Sequence, residues 1–338
     1  MEILAGSWRT APTCENCSPE ILPHIAALLM KTGTAGLVWW RLQFAAPQYG
    51  DLLLPFQQVY AYYTIRAALH EARARSAFTF FRAHDIEPVL VKGWAIGRRY
   101  PAKGLRPYGD LDLCVGPADY QKALALTLTP EGSELNIDLH KGLQELDNRA
   151  FDKFFERTQL VQLGDAAIRI PSDEDLLRIV CMHLLRHGGW RPLWFCDVAL
   201  LLESRPAAFR WEILVGNRRR DINWISTVIG LAHHLLGADI EGYPFTAQAR
   251  QLPHWLMAQV LQSWETPEPT NNAPLNYGKP LGEYLRQPRG LLGALKRRWP
   301  NPIEATYSVN GSFNNLPRFP YQLIESLRRA ARFLTSLA

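Results

Sequence analysis

The chain reads as an α+β protein in which a few short strands in the middle third are preceded and followed by helical sequence. Three observations predict this. Short apolar runs bounded by Gly or Pro stand at 88–91 and 111–115, a length and composition that suit strands rather than helices, and a third, apolar-flanked run stands at 135–139. Before them, apolar residues recur every three or four positions. Beyond Ser172 everything reads as helical, with no internal repeat. At 338 residues the chain is too long for one small core. These shifts divide it into an N-terminal helical unit over 1–85, a strand-bearing core over 86–171 and a C-terminal helical unit over 172–338.

Residues 19–43 set Ile21, Ile25, Leu28 and Leu29 at helical spacing. A longer helix is predicted over 55–84, where Tyr62, Ile65, Leu69, Ala72, Ser76 and Phe80 form a stripe with Arg66, Glu71, Arg73 and Arg75 on other faces. A Lys92-Gly93 turn, a short helix and a polar loop then separate the first strand from the second. Residues 117–126 read as a helix, 129–133 as a turn and 151–157 as a helical turn. Two strands at 159–163 and 167–170 flank Gly164-Asp165. Ser172 is an N-cap followed by acids in the first turn, which opens the helical third. Helices are expected there over 173–187, 191–203, 209–215, 223–236, 246–264 and 320–336. Pro267, Pro269, Asn271, Asn272 and Pro274 mark 266–280 as a linker.

Hydrophobic residues make up 47% and charged residues 20%, ordinary values for a soluble globular protein. The net charge of +5, from 37 basic and 32 acidic residues, helps attract a polyanion but does not by itself indicate a nucleic-acid binder. No apolar run reaches the length of a membrane span, and the N-terminus lacks a signal-peptide pattern, so a cytoplasmic location is the default expectation. Five cysteines in so long a chain do not make a disulfide framework. Cys14 and Cys17 form a lone C-x-x-C, either a zinc site or a segment with two free thiols. Cys114, Cys181 and Cys196 sit in apolar runs and read as small core residues.

The chemistry concentrates in the second strand. Asp110 and Asp112 are two positions apart, so strand alternation projects them from one edge. Carboxylates so placed repel unless a cation lies between them. Mg²⁺ takes oxygen ligands of this kind, commonly one or two carboxylates plus substrate phosphates. Asp138 adds a third carboxylate if its strand lies beside the second, and it shares a face with His140.

Lys92-Gly93, Arg106, Asp110-x-Asp112 and Asp138-Leu139-His140 together resemble the nucleotidyltransferase superfamily of the DNA polymerase β type. They are more closely similar to a group of bacterial uncharacterised nucleotidyltransferases, whose signature is a Lys-Gly turn, an Arg-Pro-x-x-Asp-x-Asp segment and a later Asp-x-His. The resemblance covers 89–143, with a weaker echo over 173–202. It implies a small mixed sheet with flanking helices, Asp110, Asp112 and Asp138 as metal ligands, and Gly93 as the glycine of the phosphate turn. Trp94 stands where the superfamily usually has Gly or Ser, and the stretch from Gly93 to Asp110 is longer than the commonest spacing. Both features suit the narrower group.

The implied reaction is metal-dependent transfer of a nucleoside monophosphate from a nucleoside triphosphate such as ATP to an acceptor, a small molecule, peptide or protein, releasing pyrophosphate. Mg²⁺, or Mn²⁺ in its place, would orient the triphosphate and neutralise developing charge. Asp110, Asp112 and Asp138 are the catalytic residues, with Asp138 assisting deprotonation of the acceptor. Lys92 and Arg106 are candidate phosphate ligands or neutralise the acidic cluster, two roles that are compatible. His140 contacts phosphate, a metal-bound water or the acceptor, or is structural. Arg98 and Arg99 read as surface charges. His183 and His187 share one helix face, without the Glu of a metalloprotease, and read as part of a helical pair flanking the cleft, with His183 or Asp197 touching substrate as the sharper reading. Basic residues at Arg218-Arg219-Arg220, over 286–298, and at Arg328, Arg329 and Arg332 read as solvated faces, a surface for RNA or another phosphate-rich acceptor, or one for an anionic membrane. Two alternatives remain: a catalytically inactive nucleotide- or partner-binding protein of the same fold, which Trp94 keeps open, and a nucleotidyltransferase that modifies RNA or transfer RNA, which is not favoured.

Overall fold

A computed structural model describes residues 1–13, 18–143, 147, 149–265 and 299–336. The Cys14/Cys17 pair, the proline-rich stretch 266–280 and the basic segment 286–298 lie outside the described residues. The N-terminal helices are α1 (Leu22–Lys31), α2 (Ala35–Leu42), the short α3 (Ala46–Tyr49) and the long α4 (Leu54–Arg82). The middle of the chain carries β1 (Val89–Leu90), α5 (Trp94–Gly97), β2 (Leu111–Val115), α6 (Tyr120–Thr127), α7 (Pro130–Ser133), β3 (Ile137–Lys141), α8 (Phe151–Phe155), β4 (Gln159–Leu163) and β5 (Ala166–Ile170). Then come α9 (Asp173–Arg186), α10 (Pro192–Glu203), α11 (Trp211–Val215), α12 (Arg219–Leu236), α13 (Thr246–Arg250) and α14 (His254–Glu265). The last two helices are α15 (Pro302–Ser308) and α16 (Phe319–Ser336). The class is α+β. One sheet is mixed, with β2 central, antiparallel to β1 and parallel to β3, and β4 and β5 form a separate hairpin.

The elements follow local chemistry closely where that chemistry is local. Ser172 caps α9 by accepting a hydrogen bond from the Asp175 amide, with three acids in the first turn. Cys114, Cys181 and Cys196 are buried free thiols.

Several expectations need correction. The helix expected over 19–43 is two helices, because Gly33 turns to φ +76° and the Thr34 hydroxyl donates back to the Leu29 carbonyl. A Cβ on Gly33 would also lie 2.4 Å from an Arg191 guanidinium nitrogen and 3.1 Å from the Pro107 ring, so a side chain there would displace the end of Arg191. The stripe expected to pack on α4 faces solvent, with Tyr62, Ile65 and Leu69 more than half exposed. Its buried face is instead Phe56, Ala67, His70, Ala74, Ala77, Phe78 and Phe81, where alanines allow close helix approach. The helix over 246–264 breaks at Pro253, which cannot donate its backbone nitrogen to a preceding turn. The third strand is shifted two residues on, to Ile137–Lys141. Arg99 is not a free surface charge; its guanidinium reaches Asp173 at 2.7 Å and the Ser204 carbonyl at 2.6 Å.

The main apolar cluster runs from Ile3 to Phe313 and includes residues of all three stretches distinguished in the sequence. A smaller one joins Val89, Val91 and Cys114 to Leu143, Phe154 and Ile179, so α9 lies against the first two strands. Polar ties also cross between the stretches. Arg9 binds Glu203 at 2.8 Å, Arg191 Nε donates to the Thr32 carbonyl at 2.9 Å, and Arg106 pairs with Asp197.

Candidate active site

The parallel pairing of β2 with β3 sets Asp112 opposite Asp138 and Cys114 opposite His140. The third strand therefore does lie beside the second. Along β3, alternation places Asp138 and His140 on one face. Asp112 is buried, whereas the Asp138 side chain keeps 53% of its surface open. His140 Nε2 lies 3.2 Å from Asp112 Oδ1 and 3.5 Å from Asp138 Oδ2. Ligand atoms of Asp112, Asp138 and His140 all fall within 4.8 Å of one another, a possible metal-binding triad. Asp110 precedes β2 and is exposed.

Charge in this group is unbalanced. The Lys92 ammonium sits 2.5 Å from Asp112 Oδ1. Burial pushes the Asp112 carboxyl up, but the His140 hydrogen bond and Lys92 together hold it below the usual carboxylate range. Asp110 goes the other way: although the residue as a whole is exposed, partial desolvation of its carboxyl, then repulsion from Asp112 and more weakly from Asp138, raise it despite Lys92. Excess negative charge on oxygen donors is what a hard divalent cation relieves, so the donor set fits one.

The Lys92-Gly93 turn closes one side. Gly93 adopts φ 57°, ψ −113°, a conformation that side chains disfavour. A Cβ there would stand 3.8 Å from the Asp110 carbonyl and the Tyr108 ring, which places the turn against the residue leading into β2. The Trp94 ring that follows is 6% exposed and packs into the core, with the Arg98 guanidinium 5.7 Å above it. Arg106 braces the turn from behind. Its Nε reaches both oxygens of Asp197, at 2.8 and 3.0 Å, and its Nη1 lies 3.5 Å from the Gly93 carbonyl. Tyr100 also donates to Asp197, at 2.9 Å.

Asp110, Asp112, Asp138, His140, Lys92 and Gly93 are thus brought together, and Arg106, held by Asp197, joins them through the Gly93 carbonyl. Sequence reasoning did not pair Arg106 with Asp197, which is 91 residues away, nor find Tyr100 as its companion. The available signal was Asp197 itself, a lone charge in an apolar run inside the echo over 173–202.

Two stretches of the chain, 21–132 and 125–237, match the family model described as uncharacterised nucleotidyltransferase. The chain belongs to this family. Every residue of the site lies within the matched span. No curated protein and no solved structure matches the chain. Membership supports a transferase acting on a nucleoside triphosphate. Among the described residues no helix is long and apolar enough to cross a membrane.

Proposed function

We propose that this nucleotidyltransferase moves a nucleoside monophosphate from a nucleoside triphosphate to an acceptor, a small molecule, peptide or protein, with release of pyrophosphate. The observation that carries the reading is the register that sets Asp112 beside Asp138, with Asp110 leading into the same strand and the Gly93 turn against it. Asp110, Asp112 and Asp138 would hold the divalent cation, Mg²⁺ or Mn²⁺. Bound there, such a cation neutralises phosphate charge and lowers the pKa of the acceptor hydroxyl.

The chain's own residues supply position and proton transfer. Gly93 lets the triphosphate approach the backbone, and Lys92, with the charge of Arg106 behind the turn, attracts its oxygens. His140 fixes Asp112 through its hydrogen bond. The acceptor oxygen bonds to the α-phosphorus while the bond to the bridging oxygen breaks. Its electron pair leaves with pyrophosphate, and the hydroxyl proton passes to the Asp138 carboxylate, the open one of the strand pair. Catalysis rests on positioning and charge stabilisation. The burial of Trp94 supports this reading over a binding-only protein, because its ring is turned into the core rather than across the turn.

The test is to incubate purified protein, Mg²⁺, α-labelled triphosphate and cell extract, then to follow pyrophosphate release and search by mass spectrometry for a nucleotide-sized adduct. Both signals are expected, and Asp112→Asn should remove both. Saturable triphosphate binding with neither signal would favour the binding-only protein.

A further inference from the structure

Two helices outside the strand core converge on the Lys92-Gly93 turn. On α9, Ile179 packs with Val89, Val91 and Cys114, the strand residues just before the turn. His183 and His187 follow at four-residue intervals on the same face, so they continue from Ile179 along the direction of β1 toward Lys92. On α10, Asp197 holds Arg106, which reaches the Gly93 carbonyl, and Trp194 precedes Asp197 by three residues on that face. The rings carried by these helices and by the short loop between them touch one another. The centroid of His183 is 4.4 Å from that of His187 and 4.8 Å from that of Trp194, and Trp190 stands edge-on to Trp194 at 5.4 Å.

We propose that His183, His187, Trp190 and Trp194 form a wall on which a planar aromatic ring stacks, and that this ring is the base of the nucleoside triphosphate. The inference rests on the reading of the site as a nucleotidyltransferase and adds to it the place of the base. Trp194 is 7% exposed and backs the wall, while His183, His187 and Trp190 each keep part of their surface open. Among the described residues none of these four side chains has a hydrogen-bond partner, so their polar edges are available. Burial and then the Lys92 ammonium hold His183 well below its ordinary value. Burial, Arg186 and Lys92 bring His187 down to about 4. Both imidazoles are therefore neutral near pH 7, and each offers one donor and one acceptor to ring substituents. Flat faces with a mixed set of donors and acceptors match a nucleobase better than an aliphatic or a charged group. The wall is also fixed in place, since Trp264 Nε1 donates to the Gly189 carbonyl at 2.9 Å, between the two ring pairs.

The experiment measures binding of ATP, GTP and inorganic tripolyphosphate with Mg²⁺, by calorimetry, to the full chain and to His187→Ala, Trp190→Ala and His187→Phe. Removing a stacked ring should weaken nucleoside triphosphate binding by about tenfold, leave tripolyphosphate affinity unchanged, and be partly restored in His187→Phe. The phenylalanine variant, which keeps a ring at that position, serves also where an alanine variant fails to fold. Unchanged nucleotide affinity in both alanine variants would overturn the proposal, as would equal losses for nucleotide and tripolyphosphate. If the unaltered protein binds neither ligand, the nucleotidyltransferase reading itself fails. If it binds both and the variants behave as it does, only the wall is refuted.

Discussion

Two clusters of buried charge can be set side by side, one around Arg178 and one around Asp112. In the first, the fully buried Arg178 donates to Asp147 and Asp221, each at 2.7 Å, and to the Leu214 carbonyl at 2.9 Å. Asp175, also fully buried, takes Arg149 at 2.6 Å and Arg157 at 2.8 Å. Every carboxylate there meets a guanidinium, and although burial pushes Asp147 up, Arg178 and Arg149 bring it below its ordinary range. In the second, Asp110, Asp112 and Asp138 share one lysine and one histidine, and Asp110 is raised. Matched charge of the first kind ties helices together. Surplus charge of one sign, held close by a strand register, does nothing for the fold and suits a cation and a phosphate chain.

The contrast is broken most directly at the carboxylates. Asp110→Asn and Asp112→Asn should each abolish pyrophosphate release, yet their melting curves should differ. The first relieves repulsion and keeps or raises the thermal midpoint, whereas the second strips Lys92 of its partner and lowers it. Normal turnover in either would remove the metal-dependent mechanism.

The other cluster should respond in stability. Arg178→Met leaves Asp147 and Asp221 buried without their shared cation and should cost about 3–5 kcal/mol in chemical denaturation. An unfolding midpoint equal to that of the unaltered protein would erase the distinction between the two clusters.

Within the site, Asp138→Asn should slow transfer strongly while leaving triphosphate affinity nearer normal than Asp110→Asn does, and His140→Ala should be intermediate. Leu139 points to the opposite face and is only partly buried. Leu139→Ala should therefore destabilise by about 2 kcal/mol, the lower end of the range for core truncations, and keep residual activity. Gly93→Ala should cost about 1–3 kcal/mol from backbone strain and weaken triphosphate binding beyond that, read by calorimetry on the folded fraction.

A last expected effect concerns pH. His187 falls from an ordinary 6.5 to about 4, and His183 shifts the same way. A histidine depressed on folding contributes stability above its unfolded value that is lost as pH falls through the folded one. Denaturation midpoints should thus decline between about pH 6.5 and 4, and His187→Phe should flatten that decline. An unchanged slope in the variant would place the proton uptake elsewhere.

What could be read from the sequence was what is decided over a few residues. The strand Leu111–Val115, the hairpin around Gly164 and the Ser172 cap need only alternation, a turn glycine and a side chain that accepts from the backbone. The carboxylate pair was legible for the same reason. Partners chosen by the tertiary fold were not. On α4 two apolar stripes interleave, and the larger side chains suggested the wrong one. Arg328 and Arg329 looked like loose surface charge. Instead Arg328 donates to the Ser308 carbonyl at 2.8 Å, and Arg329 binds Glu304 and Glu325. Arg178, a lone charge within an apolar helical run, was the local hint of a buried tie.

The pairing of Arg106 with Asp197 has a consequence for how the protein comes into being. During synthesis the turn and the carboxylate strands leave the ribosome first, while the acid that braces the turn follows 91 residues later. Until α10 has emerged, Arg106 has no carboxylate and the back of the Gly93 turn has no support. Contacts at such sequence separation are slow to close, so the brace behind the Gly93 turn is the part of the site completed last.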